Sequence, residues 1–105
     1  MFSLKNLFTS APATNYTDLV NAGAIILDVR TKGEFSQGHI KGAINIPVDD
    51  LRTQLELGKL KKEQTIITCC RSGARSGMAK SVLEQNGFGQ VYNGGGWEQL
   101  QSALK

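Results

Sequence analysis

Residues 70–75 read Cys-Arg-Ser-Gly-Ala-Arg and place a thiol between an apolar run and a helical pattern. The run at residues 65–69 is typical of a buried strand, and the pattern after residue 74 is typical of a helix. A cysteine in this position faces backbone N–H groups that lead into a helix N-terminus, where negative charge is favoured. The segment therefore predicts a thiolate nucleophile beside a site for an anionic substrate.

The loop supports Cys70 as the reactive thiol. Gly73 allows a close approach of the backbone, and two arginines lower the pKa of a nearby thiol. We expect Arg71 to attract an anion at the rim, and Arg75 to bond loop carbonyls or meet the charge of the substrate. Because neighbouring strand residues point to opposite faces, Cys69 is expected to face the core. A resolving thiol is the alternative role for that residue.

The other polar candidates are predicted to be mainly structural. His39 is the only histidine, and we expect it to be a structural hydrogen-bonding residue, since a stabilised thiolate needs no general base. Asp28 and Arg30 end the first strand, and Glu34 follows one turn further along. We expect these three residues to form a structural ion-pair and capping network in preference to substrate contact. One histidine without a cluster of cysteine or carboxylate partners argues against a metal site, and no cofactor is expected.

Composition narrows the class of protein. A chain of 105 residues, 40% hydrophobic and 20% charged, is typical of one globular domain. A net charge of +3 from scattered basic residues gives little support for nucleic-acid binding. Two adjacent cysteines without further partners indicate a reducing compartment, with the cytoplasm as the default.

No segment predicts a membrane span, because no run approaches the ~18 apolar residues required. Residues 1–10 contain several apolar side chains but lack the apolar core of a secretory signal. They predict a single amphipathic turn that packs on the domain, with a weak interfacial anchor as the alternative.

The elements that must position the thiol alternate between strand and helix. Apolar runs predict strands at residues 24–27, 43–46, 65–69 and 90–93. Periodic segments predict helices near residues 16–20, 49–57, 74–86 and 97–104. This alternation indicates an α/β domain with a largely parallel sheet, in which ligands bind beyond the carboxyl ends of the strands. Cys70 lies at such an end.

Two details of these elements are also predicted. In the helix at 74–86, one apolar stripe contains Met78, Ala79, Val82 and Leu83. The three consecutive glycines at residues 94–96 lack the lysine and the spacing of a phosphate-binding loop. We expect them to make a tight turn between strand and helix.

Three segments, taken in order, resemble rhodanese-like domains. Residues 28–47, which include Asp-Val-Arg and Gly-His-Ile-Lys-Gly-Ala, resemble the first signature of that family. Residues 70–76 resemble its active-site loop, and residues 91–97 resemble its closing strand, turn and helix. The match covers about residues 15–105 and leaves 1–14 as an N-terminal extension. It implies an α/β, rhodanese-like fold with a central, largely parallel five-stranded sheet and helices on both faces.

The resemblance also implies a sulfurtransferase that carries sulfane sulfur as a persulfide on Cys70. By that comparison, the thiolate attacks a small anionic donor such as thiosulfate, and the outer sulfur passes to cyanide, a thiol or a protein acceptor. The resemblance further implies that substrate is bound by the backbone N–H groups of the loop and by its two guanidinium charges. The residues concerned are Arg71, Ser72, Gly73, Ala74 and Arg75.

Loop length distinguishes two chemistries within this fold. The loop from Cys70 to Arg75 has six residues, whereas related phosphatases and arsenate reductases use one more. Oxygens held at ~2.7–3.0 Å from converging N–H donors need a wider ring than one sulfur does. Sulfur transfer therefore ranks above arsenate reduction or phosphate hydrolysis. A sulfur carrier that presents its persulfide to a protein partner, without rapid turnover of small donors, is the remaining alternative.

Overall fold

Strands and helices alternate through residues 14–105, the part of the chain that the computed structural model describes. The strands are β1 (Ile25–Asp28), β2 (Ile44–Asn45), β3 (Ile66–Cys70) and β4 (Val91–Gly96). The helices are α1 (Tyr16–Asn21), α2 (Lys32–Gln37), α3 (Val48–Glu56), α4 (Ala74–Gln85) and α5 (Trp97–Ala103). The amphipathic turn predicted within residues 1–10 lies outside the described residues.

The strands form one parallel sheet in the order β2-β1-β3-β4. Every residue of β3 is buried, as expected for a continuous apolar run in the middle of a parallel sheet. The prediction of a largely parallel sheet is confirmed, but the described residues contain four strands where the resemblance implied five. The segment that precedes β1 forms helix α1, as predicted for residues 16–20, and the side chain of Asn15 caps it by accepting from the backbone N–H of Asp18.

Helices cover both faces of the sheet, as predicted. On one face, Leu51 of α3 and Leu83 of α4 are fully buried in the larger core cluster. On the other face, Leu100 of α5 packs with Leu19 of α1 in a second cluster. Each buried leucine contributes roughly 1.5–3 kcal/mol from apolar burial, so the two clusters hold β3 firmly from both sides.

The apolar stripe of α4 differs from the prediction at one position. Met78 is 60% exposed, although the spacing placed it in the stripe. The buried residues of this helix are Ser76, Ala79 and Leu83, which are three and four positions apart and so share one face. Met78 lies beside that face, on the solvent side, and Ser76 is the residue of the first turn that belongs to the buried stripe.

The three glycines that end β4 do not make the predicted turn. The strand continues through Gly96, which pairs with Cys70 across an irregularity in the ladder, and α5 begins at the next residue. A Cβ on Gly94 would lie 2.8 Å from the carbonyl oxygen of Thr68, and one on Gly96 would lie 2.9 Å from that of Arg71. Only glycine permits this approach, which brings β4 against the segment that carries Cys70.

Candidate active site

The Cys70 side chain lies at the carboxyl end of β3, under the loop that leads into α4. The residue is 1% exposed. Gly73 has a left-handed φ of +107°, which is accessible to glycine at little cost, and its backbone N–H donates to the Cys70 Sγ at 3.0 Å. The Oγ of Ser76, in the first turn of α4, lies 3.6 Å from the same sulfur. The loop thus folds back over the thiol and directs donors at it.

These donors favour the thiolate. Burial raises the pKa of Cys70, but the Ser76 hydroxyl and the backbone N–H groups of Ser76, Gly73 and Ser72 outweigh burial and lower that pKa below its ordinary value. The donors belong to the loop and to the N-terminus of a 12-residue helix, where negative charge is favoured. The predicted thiolate site is therefore built from hydrogen bonds more than from arginine charge.

Cys69 faces the opposite side of the sheet, as predicted. It is 0% exposed and packs with Ile26, Ile67 and Leu100 in the second core cluster. Burial, reinforced by the nearby Asp28 carboxylate, raises the pKa of Cys69 to about 12. Its thiol therefore stays protonated at neutral pH, which agrees with the structural role expected for this residue.

Arg75 pairs with Glu34, and not with the loop carbonyls or the substrate charge that were expected from the sequence. Its Nη1 and Nη2 donate to the two carboxylate oxygens of Glu34 at 2.7 and 3.0 Å, a bidentate geometry. This guanidinium, with help from the backbone N–H of Thr31, lowers the pKa of Glu34 to about 2. The charge of Arg75 is thus matched within the protein, and the pair joins α4 to α2.

Arg71 differs from Arg75 in this respect. It is exposed on the loop, and within residues 14–105 no carboxylate lies within salt-bridge distance of it. Of the two loop arginines, Arg71 is therefore the one whose charge is available to an anion, which agrees with the rim position expected from the sequence.

The predicted network at the end of β1 is confirmed. Asp28 and Arg30 are 0% and 4% exposed and form an ion pair at 2.7 Å, with a second pair of contacts from Nε at 3.0 and 3.1 Å. Arg30 also donates to the carbonyl oxygen of Gly38 at 2.8 Å and lies 4.7 Å from the ring centroid of Trp97. The buried charges are thus paired and hydrogen-bonded, and they join the β1 end to the start of α5.

The family model of the rhodanese-like domain matches residues 12–103. The chain belongs to this family. Its fold also matches a solved structure of a rhodanese with anions from Escherichia coli, with a TM-score of 0.68 and 31% sequence identity. That match covers 79% of this chain and 95% of the E. coli chain.

Sequence relatives of this rhodanese-like domain include sulfurtransferases. Thiosulfate sulfurtransferase PspE of Escherichia coli is 34% identical over 74 residues, which are 70% of this chain and 71% of that protein. A sulfurtransferase of Allochromatium vinosum is 35% identical over 69 residues, and the match spans 66% of this chain and 63% of that protein. A tRNA uridine(34) hydroxylase of Buchnera aphidicola is 32% identical, but its match covers 87% of this chain and only 31% of the hydroxylase.

His39 of the rhodanese-like domain acts as a structural hydrogen-bonding residue, as predicted. Its Nδ1 lies 2.7 Å from the carbonyl oxygen of Phe35, and the two rings stack with centroids 3.6 Å apart. The residue is exposed, and both contacts belong to the end of α2.

Two residues of the site were missed in the sequence. The Ser76 hydroxyl contacts Cys70, as described above, and donates to Asn93 Oδ1 at 2.6 Å. Asn93 Nδ2 donates in turn to the carbonyl oxygen of Gly73 at 3.3 Å. The spacing from Cys70 to Ser76 could have indicated a hydroxyl in the first turn of α4. No local signal marks Asn93, whose contacts exist only once β4 lies beside the loop.

Helix α2 was also missed, although it had a sequence signal. Thr31 and Glu34 form a capping box, in which the threonine Oγ1 accepts from the Glu34 backbone N–H and the carboxylate accepts from the Thr31 backbone N–H. A threonine followed three residues later by glutamate is a recognised helix start. The helix positions Glu34 where it meets Arg75.

Within residues 14–105, no three His, Cys, Asp or Glu side chains come together in a way that could hold a metal ion. No helix in the same residues has the length and apolar character needed to cross a bilayer.

Proposed function

We propose that this rhodanese-like domain is a sulfurtransferase that carries sulfane sulfur as a persulfide on Cys70. The proposal rests on the environment of the Cys70 sulfur. This sulfur accepts from the Gly73 backbone N–H at 3.0 Å and has a lowered pKa despite its burial. The sulfurtransferases among its relatives support the same reaction class.

In the first half of the reaction, the Cys70 thiolate attacks the outer sulfur of thiosulfate. A new S–S bond forms to Sγ, and the S–S bond of the donor breaks. Its electron pair leaves with sulfite. The product persulfide carries one negative charge on its outer sulfur, which the backbone N–H groups of the loop stabilise. No proton transfer is needed in this step.

In the second half, a nucleophile such as cyanide or a thiolate attacks the outer sulfur. The persulfide S–S bond breaks and its electron pair returns to Cys70 Sγ, which becomes a thiolate again. The low pKa of Cys70 favours this step, because a more stable thiolate is a better leaving group. One cysteine therefore serves both as nucleophile and as leaving group.

The loop also contributes to donor binding in this proposal. The backbone N–H groups of residues 71–75 surround the transferred sulfur, and the exposed guanidinium of Arg71 attracts the anionic donor. Arg75 holds the loop against α2 through Glu34 and adds little free charge. The six-residue length of the loop supports sulfur transfer over phosphate or arsenate chemistry, for the steric reason given above.

We also infer that this reaction takes place in a reducing compartment such as the cytoplasm. Both cysteines are free, and a nucleophile that must return to the thiolate in every cycle is best kept where disulfides are rare. The location of a fluorescent fusion of the full-length protein in intact cells tests this inference.

Intact-mass measurement after incubation with thiosulfate tests the proposed function. We expect wild type and Cys69→Ala to gain the mass of one sulfur atom, which cyanide then removes as thiocyanate. Cys70→Ala should gain none. A sulfur adduct that persists in Cys70→Ala would contradict the assignment of the persulfide.

Steady-state assays separate the alternatives. Rapid, saturable thiocyanate production supports an enzyme, whereas loading without turnover on small acceptors supports a sulfur carrier for a protein partner. Hydrolysis of an aryl phosphate that is lost in Cys70→Ser would contradict the preference for sulfur.

A further inference from the structure

The Ser76 hydroxyl lies within reach of three acceptors. Its Oγ is 3.6 Å from the Cys70 sulfur, 3.0 Å from the carbonyl oxygen of Gly73 and 2.6 Å from Asn93 Oδ1. A serine has only one proton to donate. The Gly73 carbonyl already accepts from the Gly77 backbone N–H at 3.0 Å and from Asn93 Nδ2 at 3.3 Å. The competition for the Ser76 proton is therefore between Asn93 and the sulfur.

Asn93 is held in place by hydrogen bonds on both amide atoms of its side chain and on its backbone carbonyl oxygen. Besides the contacts above, its Oδ1 accepts from the Gly95 backbone N–H at 2.9 Å, and its carbonyl oxygen accepts from the Tyr16 hydroxyl at 3.2 Å. Because a backbone N–H can only donate, the amide atom that faces Gly95 must be the oxygen. A Cβ on Gly77 would lie 3.3 Å from Asn93 Nδ2, so α4 leaves the amide little space to move.

We propose that Asn93 is a positioning residue that competes with the Cys70 sulfur for the proton of the Ser76 hydroxyl. When Sγ is an uncharged thiol, the hydroxyl donates to Asn93 Oδ1. When Sγ is a thiolate, the hydroxyl turns to the sulfur, and Oδ1 keeps only the Gly95 N–H. Both orientations use the same heavy-atom positions, so the change requires only rotation of one O–H bond.

The consequence for turnover rests on the proposed sulfurtransferase function. In the persulfide, the negative charge lies on the outer sulfur, and Sγ carries two covalent bonds and no charge. The Ser76 hydroxyl then donates to Asn93. When the acceptor removes the outer sulfur, the electron pair of the S–S bond goes to Sγ, and the hydroxyl turns to it. Asn93 therefore stabilises the persulfide form of Cys70 relative to its thiolate form.

The other charged and titratable groups around the thiol stay the same in this comparison. Tyr92 of β4 lies in the core cluster on the opposite face of the sheet, so β4 adds none on the thiol face. The groups near the Cys70 loop come from β1 and its end, β3, the loop, α2 and α4, and they are Asp28, Arg30, Cys69, Arg71, Glu34 and Arg75.

Titration of the Cys70 thiolate by its ultraviolet absorbance tests the proposal in a Cys69→Ala background. Ser76→Ala should raise the pKa of Cys70 by about one pH unit, because the charged sulfur loses a hydroxyl donor. Asn93→Ala should lower it by about half a pH unit, because the hydroxyl loses its competing acceptor. In the double variant the pKa should equal that of Ser76→Ala. Asn86→Ala, whose amide bonds the Val82 carbonyl at the far end of α4, is the matched control and should change nothing.

A merely structural role for Asn93 gives a different result. If Asn93→Ala acts only by loosening the loop through Gly73 and Gly95, the pKa of Cys70 changes by the same amount with and without Ser76. That outcome overturns the proposal. If thiosulfate loads no sulfur but the titrations follow the expected pattern, the proposed function fails and the positioning role of Asn93 stands.

Asn93→Asp provides a second test if Asn93→Ala does not fold. The aspartate retains oxygen acceptors for Ser76 and Gly95 and should raise the pKa of Cys70. Its charge contributes equally with and without the Ser76 hydroxyl, so a larger rise in the presence of Ser76 supports the competition. Equal rises, or a fall, overturn it.

Discussion

Cys69 and Cys70 are neighbours on β3 with nearly equal burial, 0% and 1% exposed, yet their thiols are perturbed in opposite directions. Burial raises the pKa of Cys69 to about 12. Burial also opposes ionisation of Cys70, but hydrogen bonds from Ser76 and the loop outweigh it and lower the pKa. One step along a strand moves a side chain to the other face of the sheet. The donors on the α4 face, and not exposure, therefore decide which thiol is reactive.

The two sides of β3 differ in what they offer a charge. Cys69 packs among apolar side chains, and its nearest charged groups, Asp28 and Arg30, are already paired with each other. Cys70 lies under a loop whose backbone N–H groups make no hydrogen bonds within a helix or strand. A buried thiol is thus inert where the polar groups are satisfied elsewhere, and activated where unpaired N–H donors converge.

The largest expected effect is the difference in reactivity between the two thiols. At pH 7 a pKa of about 12 leaves about 10⁻⁵ of Cys69 as thiolate. We therefore expect iodoacetamide to modify the folded Cys69→Ala variant, through Cys70, with a pH midpoint below that of a free cysteine. The folded Cys70→Ala variant should resist modification until it is unfolded. Rapid modification of Cys69 in the folded protein would remove the contrast between the two faces.

A second expected effect isolates the hydroxyl donor on the Cys70 side. Ser76→Ala should slow the release of sulfur from the persulfide to cyanide by about tenfold, since a hydrogen bond to a charged group contributes about 1.5–3 kcal/mol. Single-turnover assays on preloaded protein measure this rate as thiocyanate formed. Ser81→Ala, an exposed position further along α4, is the matched control. An unchanged rate would mean that the backbone N–H groups alone stabilise the departing thiolate.

The reactive side of this comparison was partly predictable from the sequence. The apolar run of β3, Gly73 and the helix after it are local signals, and they sufficed to place Cys70 at a strand end and Cys69 in the core. Strand alternation, which is independent of the rest of the fold, assigned the two faces.

The partners of the loop were not predictable in the same way. Arg75 meets Glu34, which lies 41 residues earlier, and Ser76 meets Asn93, which lies 17 residues later. Such contacts depend on which strands become neighbours and on how closely the glycines let β4 approach. Backbone N–H groups at the helix start were predicted to activate Cys70 together with arginine charge, and the structure supplies the activation mainly through hydrogen bonds, including that of Ser76.

The third expected effect separates the two loop arginines. Arg71→Ala should raise the KM for thiosulfate several-fold, and less at high salt, because an exposed and unmatched charge attracts the anion. Arg75→Ala should change KM less, because Glu34 already matches its charge. Initial rates at low and high ionic strength measure both. Arg52→Ala, an exposed arginine of α3, controls for net charge. A larger rise in KM for Arg75→Ala would indicate that substrate displaces Glu34.

The smallest expected effect is a pH dependence of stability from the Glu34–Arg75 pair. The pKa of Glu34 is about 2 in the folded protein and near 4.3 when unfolded, so the unfolded state binds the proton more readily. The pair therefore stabilises the fold above about pH 4.3, and this contribution is lost as the pH falls toward 2. Both side chains are 32% exposed, which limits the contribution to about 1 kcal/mol or less.

Glu34→Gln should remove this part of the acid dependence while leaving the remainder of the pH profile in place. Urea unfolding at several pH values between 7 and 3 measures the free energy of unfolding, with Glu84→Gln, an exposed glutamate of α4, as the control. The difference between wild type and Glu34→Gln should shrink as the pH falls below about 4.3, because Glu34 of the unfolded wild type binds a proton there and the folded state does not. A difference that stays constant with pH would mean that an effect of the substitution other than the loss of the carboxylate charge accounts for the stabilisation.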